Sequence, residues 1–508
     1  MTKRLFAVLS LAVVISPAVA GEKEDLKAEI AALKKQIAAQ QEALDALESK
    51  VQDVKVQSSN QFAETQRQTN EAPKLTIKDA RPTFTSGDGK SSISLRGRLS
   101  LDYAKYFQDI AGPATTDFRR GSFGDATEAA RARDLNDGTN FRRAQIGIDG
   151  KLDDVWQYSL IYEFGGSGQE DGGRIQDLYL QYNGIEGFRF RAGAFGPSVG
   201  YDDSTSNAES LFLERATPAE LQRQIAGSEG RTGVAGYANG DDCYASLAVT
   251  GAPIATQSFD EQVALVGRVA FLPYRSADLN IHVGANATYL LRAPDQGPDA
   301  AAPRYPFRLR DRPEVRVDGT RLIDTNNINT DNLFAPGVEL AANFQNVYVQ
   351  GEYIWYQFER EAGGALPDPD FSGWYVQAAW AITGETRTWN AANAVFAGLK
   401  PAKPLGTDGG WGALELAARY SVADLNYRED LLPAVGGIRG GEQEAVTLGL
   451  NWYVNNNIRF LVDYQWVNVD RLSTGVANAY GSGVFVPPAG SQIGQDLEIL
   501  SVRTQFTF

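Results

Sequence analysis

The sequence predicts an all-β chain: a sixteen-stranded antiparallel transmembrane β-barrel with an N-terminal α-helical coiled coil ahead of it. Three observations carry that prediction. Beyond residue 90, segments of about ten residues alternate apolar and polar side chains and are separated by Gly, Asn, Asp and Pro. Short connections, such as Asn239-Gly240 and Asn455–Asn457, alternate with long ones at 108–139, 197–229, 293–330 and 471–495, the asymmetry that separates inner turns from outer loops in such barrels. The chain ends LEILSVRTQFTF, with Leu500, Val502, Phe506 and Phe508 on one face, so a last strand can close on the first and leave no sheet edge open to lipid.

The elements follow in order. Residues 1–20 have the layout of a secretory signal peptide: Lys3 and Arg4, an apolar run from Leu5 to Ile15, and Ala18-Val19-Ala20 before Gly21. Within 22–56, Ile30, Ile37, Leu44 and Val51 recur at one heptad position and Leu26, Leu33, Leu47 and Val54 at another, which predicts a coiled coil whose β-branched first core position leans towards two strands. A single amphipathic helix lying on another surface has the same pattern. Residues 57–90 read as a linker, and 91–508 as the barrel. Its sixteen segments are 91–107, 140–150, 154–165, 173–183, 187–196, 230–239, 241–251, 261–272, 278–292, 331–344, 345–359, 370–383, 410–426, 441–454, 456–470 and 496–508. In the twelfth, Trp374, Val376, Trp380 and Ile382 fall on one face and Gln377 and Thr383 on the other. The connection 384–409 is too long for the end at which it lies.

Composition excludes several functions. The formal net charge is −15 over 508 residues, and loss of the leader makes the chain more acidic still, which argues against nucleic acid as a partner. Cys243 is the sole cysteine and His282 the sole histidine, so no internal disulfide forms, no His/Cys metal site is expected and no cofactor is called for. His282 alternates with Ile281 and Val283, which predicts a strand residue without a catalytic duty. An enzyme is not expected.

Against this acidic background, RYPFRLRDRPEVRVDGTR (304–321) places six arginines in eighteen positions. Arg304, Arg308, Arg312 and Arg316 would share a helical face, but Pro303, Pro306 and Pro313 interrupt it, so the segment should be extended. Arg308, Arg310 and Arg312 then form a row on one side, with Phe307, Leu309 and Asp311 turned away. Folded into a lumen, such a row offers permanently charged forks to an oxyanion, each contact at about 4 Å being worth on the order of 4 kcal/mol before desolvation at an effective dielectric near 20. In an outer loop, the same arginines would pair with lipopolysaccharide phosphates or with Asp311, Glu314 and Asp318.

The stretches SLRGRLSLDYAKYF, FRRAQIGIDGKLDDVWQYSLIYEF, GWYVQAAWAITGETR, GALELAARYSVADLN and TLGLNWYVNNNIRFLVDY resemble the phosphate-selective porin O and P family over 91–508. The resemblance implies a trimeric porin of the Gram-negative outer membrane, in contact with outer-membrane lipid and lipopolysaccharide, that passes inorganic anions along an arginine ladder. It implies that Arg308, Arg310, Arg312 and Arg316 are that ladder, and that Arg98, Arg142, Arg143, Arg191, Arg215 and Asp177 line the pore. Strict alternation places only one of Arg142 and Arg143 inward, so a rim or bulge must accommodate the other; phase with Gln145 and Asp149 favours Arg143. Where the family places selectivity lysines, this chain has Asp202 and Asp203, and Glu359, Glu361, Asp368 and Asp370, which would oppose anions or pair with Arg215 or Arg360. A general or organic-solute porin is therefore the alternative, and the coiled coil reads as a periplasmic tether to the cell wall or an envelope partner.

Overall fold

The computed structural model describes residues 20–108, 135–166, 173–254, 256, 258–298, 303–361, 365–407, 409–475 and 487–508. The predicted leader lies outside them except for Ala20. The chain divides into two units, 1–72 and 73–508.

The first unit is α1 (Ala20–Glu71), 52 residues without a break. It continues past residue 56, where the sequence reading starts a linker, and this is a correction. Residues 57–71 contain neither Gly nor Pro, so helix propagates until Pro73 ends it. The heptad residues from Leu26 to Val54 form an exposed apolar stripe.

The rest of the predicted linker is mostly a hairpin. Lys74–Lys78 pairs antiparallel with Arg81–Thr85. The two turn residues, Asp79 and Ala80, both have left-handed φ, 48° and 59°, the turn whose twist matches that of the strands. Arg81–Thr85 pairs in turn with the first barrel strand, Thr83 opposite Ser94.

The barrel strands are β1 (Ser92–Gln108), β2 (Gly138–Leu152), β3 (Trp156–Glu163), β4 (Arg174–Ile185), β5 (Phe188–Phe195), β6 (Arg231–Asn239), β7 (Cys243–Pro253), β8 (Val263–Arg275), β9 (Leu279–Arg292), β10 (Ile328–Phe344), β11 (Val347–Arg360), β12 (Asp370–Ala381), β13 (Ala413–Tyr427), β14 (Ile438–Tyr453), β15 (Ile458–Asp470) and β16 (Gln495–Thr507). Each ends within three residues of its predicted segment. Neighbours pair antiparallel, and β16 closes on β1 from Leu497–Gln108 to Thr507–Arg98. At the seam, Phe508 and Gly97 exchange both backbone hydrogen bonds at 3.0 Å. A Cβ on Gly97 would lie 2.4 Å from the Phe508 ring, so only glycine leaves room for the terminal aromatic.

Burial is inverted relative to a soluble sandwich. On β14, Thr447 and Asn451 are fully buried, whereas Val446, Leu448 and Leu450 are exposed. The apolar face points outward, and the polar face packs inside, as a wall in lipid requires.

The connection 382–412, between β12 and β13, folds into the barrel. It carries the small hairpin Trp389–Asn390 and Val395–Phe396. On β8, Arg268 donates to the carbonyls of Asn393 (2.6 Å) and Ala394 (2.9 Å), and the Phe396 N–H donates to the Tyr201 hydroxyl at 2.9 Å. His282 lies on β9, as expected for a strand residue, between the rings of Tyr201 and Trp389.

Cys243 is exposed at the start of β7, next to the short turn 240–242. If that end faces the periplasm, a PEG-maleimide too large for a pore will label Cys243 only after the outer membrane is permeabilised. Labelling on intact cells would reverse the orientation.

Candidate functional site

Two loops enter the barrel from the end opposite the short turns. The loop between β5 and β6, 196–230, carries a single turn at Tyr201–Ser204 and helix α2 (Thr217–Ala226), started by Pro218 in its first turn. The barrel wall fixes it at several points. On β11, Glu352 accepts the N–H groups of Tyr201 (2.7 Å) and Asp202 (3.0 Å). On β15, Asp463 accepts the Leu213 N–H at 2.8 Å, and the Tyr356 hydroxyl donates to the Pro218 carbonyl at 2.6 Å. Leu221 and Ile225 are fully buried.

The loop between β9 and β10, 293–327, contains the arginine stretch. It is extended in part: Pro306–Phe307 pairs with Ile328–Asn329 and Arg310–Asp311 with Ile323–Asp324, and the chain bends at 313–314 and 317–318. Glu314 follows Pro313 with φ 57°, and its carboxylate fastens three elements together. It accepts the Thr217 N–H at the start of α2 (2.8 Å), the Ser421 hydroxyl on β13 (2.7 Å) and a guanidinium hydrogen bond from Arg419. A carboxylate at a helix N-terminus satisfies an otherwise unpaired donor and the helix dipole together.

Several predicted residues converge on the first loop. Arg142 and Arg143 are both buried, because the strand is bulged there. Ser100 on β1 opposes Arg143 and Leu101 opposes Phe141, which leaves Arg142 as the extra residue. Of the rim or bulge that the sequence required for the second arginine, the strand uses a bulge. Arg142 donates to both oxygens of Glu214, at 2.6 and 2.9 Å. Arg143 lies 3.5 Å from Glu163 and 3.7 Å from Glu229. Arg98 reaches the Ser206 hydroxyl at 3.4 Å.

Arg215 donates to the carbonyls of Asp202, Asp203 and Thr205. The Asp203 carboxylate pairs with Arg223 at 2.8 Å and that of Asp202 accepts the Ala216 N–H at 3.2 Å. Arg191 and Asp177 lie on β5 and β4. Arg191 donates to Gln181 at 2.7 and 2.9 Å and stacks over Tyr179 at 4.1 Å.

The ladder differs from an open row of cations. Arg308 pairs through two nitrogens with Asp324, Arg310 is half-buried and Arg312 is buried. Arg316 lies 2.7 Å from Glu220, 3.3 Å from Glu214 and 3.7 Å from Asp311. Phe307, Leu309 and Asp311, expected to turn away, are buried. Packing a charged segment inside a barrel demands counter-ions for its guanidiniums, and the loops supply them. Glu359 and Glu361 accept from Asn332 and Asn329, and Arg360 donates its guanidinium to the Pro367 carbonyl and its backbone N–H to the Asp368 carboxylate.

The electrostatics follow from burial against pairing. Burial pushes the Glu214 carboxyl up, but Arg142, Arg316 and Arg503 outweigh it and hold it well below the usual carboxylate range. Glu229 is held down in the same way by Arg223 and Arg143. Burial wins at Asp202 and Asp203, which are raised despite Arg215 and Arg223. Burial, opposed mainly by Arg316, pushes Asp311 up to about 7.

Sequence reasoning missed Glu214, Glu220, Glu229, Arg223, Arg419 and Arg503. Arg503 and Arg419 were readable from phase, since each is buried between outward neighbours, Val502 and Thr504 in one case and Ala418 and Tyr420 in the other. The loop carboxylates have no such signal.

The sequence profile of the phosphate-selective porin O and P family matches residues 117–508. The chain is 27% identical over 499 residues to an uncharacterized protein of Caulobacter vibrioides, covering 91% of this chain and 90% of that one. It is 25% identical over 414 residues to Porin O of Pseudomonas aeruginosa, covering 78% and 87%. Among solved structures, OmpT of Vibrio cholerae superposes with a TM-score of 0.46 at 11% identity, over 82% of this chain and 98% of that one. With most of its length matched by one family and a closed sixteen-stranded barrel to house a pore, the chain belongs to the phosphate-selective porin O and P family of outer-membrane porins.

Proposed function

We propose that this porin passes small anions, phosphate or polyphosphate foremost, through a constriction built by the loops 196–230 and 293–327. The observation that carries the proposal is the gathering of Arg98, Arg142, Arg143, Arg215 and Arg316 around one inward loop, with Arg308, Arg310 and Arg312 on the second. Guanidinium forks replace the hydration of an oxyanion by charge-assisted hydrogen bonds, and several stations in series let a bound ion move on. The family name and the relative called Porin O support phosphate as the permeant.

A second reading, a general or organic-solute porin, is favoured by the pairing of Arg308 with Asp324 and of Arg316 with Glu214 and Glu220. These carboxylates cancel part of the ladder's field. The two readings separate in planar bilayers. Anion preference in a salt gradient, with chloride current saturably blocked by phosphate, supports the first, and weak selectivity without block supports the second. In the triple variant Arg308→Ala/Arg310→Ala/Arg312→Ala, the half-blocking phosphate concentration rises about tenfold or more, the loss of roughly one charge-assisted contact; unchanged block removes the ladder from the permeation path.

The assembly is proposed as a homotrimer of barrels in lipid and lipopolysaccharide, with α1 in the periplasm. Its exposed apolar stripe would be covered by α1 of another copy in a coiled coil, from which the rod tethers the barrel to the cell wall. Deleting residues 22–70 should weaken the envelope against detergent and leave single-channel conductance unchanged. Wild-type detergent resistance in that deletion would end the tether.

Asp311 adds a pH dependence. Its raised value, about 7, means that the carboxyl is neutral below that pH and charged above it. The facing groups are Arg316, Arg312 and Glu220. Anion preference should therefore rise as pH falls through about 7, and Asp311→Asn should hold the low-pH preference throughout. A pH step that survives in Asp311→Asn assigns the titration elsewhere.

A further inference from the structure

The Glu214 carboxylate lies where several cations meet. Arg142 clamps both of its oxygens, at 2.6 and 2.9 Å. Arg503, on β16, donates to Oε1 at 3.0 Å, and Arg316, from the other loop, lies 3.3 Å from Oε2. Two of the three guanidiniums have a second carboxylate of their own: Arg503 is bidentate to Asp102 at 2.6 and 2.7 Å, and Arg316 reaches Glu220 at 2.7 Å. For Arg142, Glu214 is the one carboxylate partner among the described residues. Beside them is a cavity of about 10 Å³, the room one water needs, lined by Arg142, Arg143, Arg215, Arg503, Glu214 and Ser210 among others.

The wall, through Arg142 and Arg503, and the loop 293–327, through Arg316, thus present three guanidiniums to one point on loop 196–230, with space at its side. A flat two-oxygen anion already fills it, bonded as a permeant carboxylate or phosphate would be. The rest of loop 196–230 does not need Glu214 to hold it in place, since Glu352, Asp463 and Glu314 anchor its backbone.

We infer that Glu214 is a resident counter-anion in an oxyanion station formed by Arg142, Arg316 and Arg503, and that a permeating oxyanion competes with this side chain for the station. The inference rests on the anion-pore reading and deepens it. Glu214 sets selectivity: it keeps the station from trapping phosphate, because an arriving ion gains only the difference between its own contacts and those of the carboxylate it displaces. The carboxyl is held well below the usual range by the same arginines, after burial is overcome, so it stays charged across ordinary working pH.

The test is single-channel recording of the full-length protein with inorganic phosphate titrated into chloride. Glu214→Gln keeps the shape and removes the charge, leaving Arg142 open while Arg503 keeps Asp102 and Arg316 keeps Glu220. The expected result is a half-blocking phosphate concentration about tenfold lower, equivalent to roughly 1.4 kcal/mol, together with a reversal potential shifted towards anions. Unchanged block and reversal potential, or a shift towards cations, overturns the inference. If Glu214→Gln yields no channels, Glu214→Asp retains the charge on an arm one methylene shorter, which cannot span all three arginines. Block should then tighten about threefold, and no change would be equally fatal. Cation preference in the wild-type channel would refute the anion-pore reading alone, because the role of Glu214 is read from the difference between variant and wild type.

Discussion

A guanidinium inside a barrel must find a counter-ion, and the interior of this protein is organised around that demand. Glu314 illustrates it: one carboxylate receives the start of α2, a wall serine and the Arg419 guanidinium. Removing one partner of a buried pair typically costs about 3–5 kcal/mol, because a charge is left stranded. The inward loops are therefore held in position by the chemistry that lines the candidate pore. Arg268 and Glu339, both fully buried, repeat the arrangement beneath the inserted hairpin at 393–396.

The wall makes the opposite bargain with its surroundings. Its apolar residues face out and its Gln, Asn, Thr and charged residues face in, so the sheet needs no core of its own. Closure of β16 on β1 satisfies the last backbone groups, and the terminal Phe508 completes that seam against Gly97. With the wall complete, the described parts of three long insertions, 196–230, 293–327 and 382–412, pack against its inner face and narrow the space that remains.

The barrel was legible because alternation, turn chemistry and the terminal strand are local signals that lipid enforces at every position; all sixteen strands were found. The end of α1 was misread because residues 57–71 are polar, and polarity resembles a linker although nothing there breaks a helix. The site was legible in part. The arginines stand out by type and spacing, and Arg142 and Arg143 by adjacency. Their partners do not, because Glu214, Glu220 and Asp324 reach them through loop folding that no periodicity encodes. Strand geometry predicts where Arg308, Arg310 and Arg312 point and says nothing of an acid such as Asp324 that comes to meet Arg308.

The bulge in β2 has a consequence beyond the two arginines it turns inward. Because one surplus residue is absorbed at a single rung, with regular pairing on either side, losing or gaining that residue would change the interior charge by one and leave the lipid-facing pattern of the strand in phase. Indels of one codon, usually ruinous in a sheet, thereby become at this rung a way for related channels to retune what they admit.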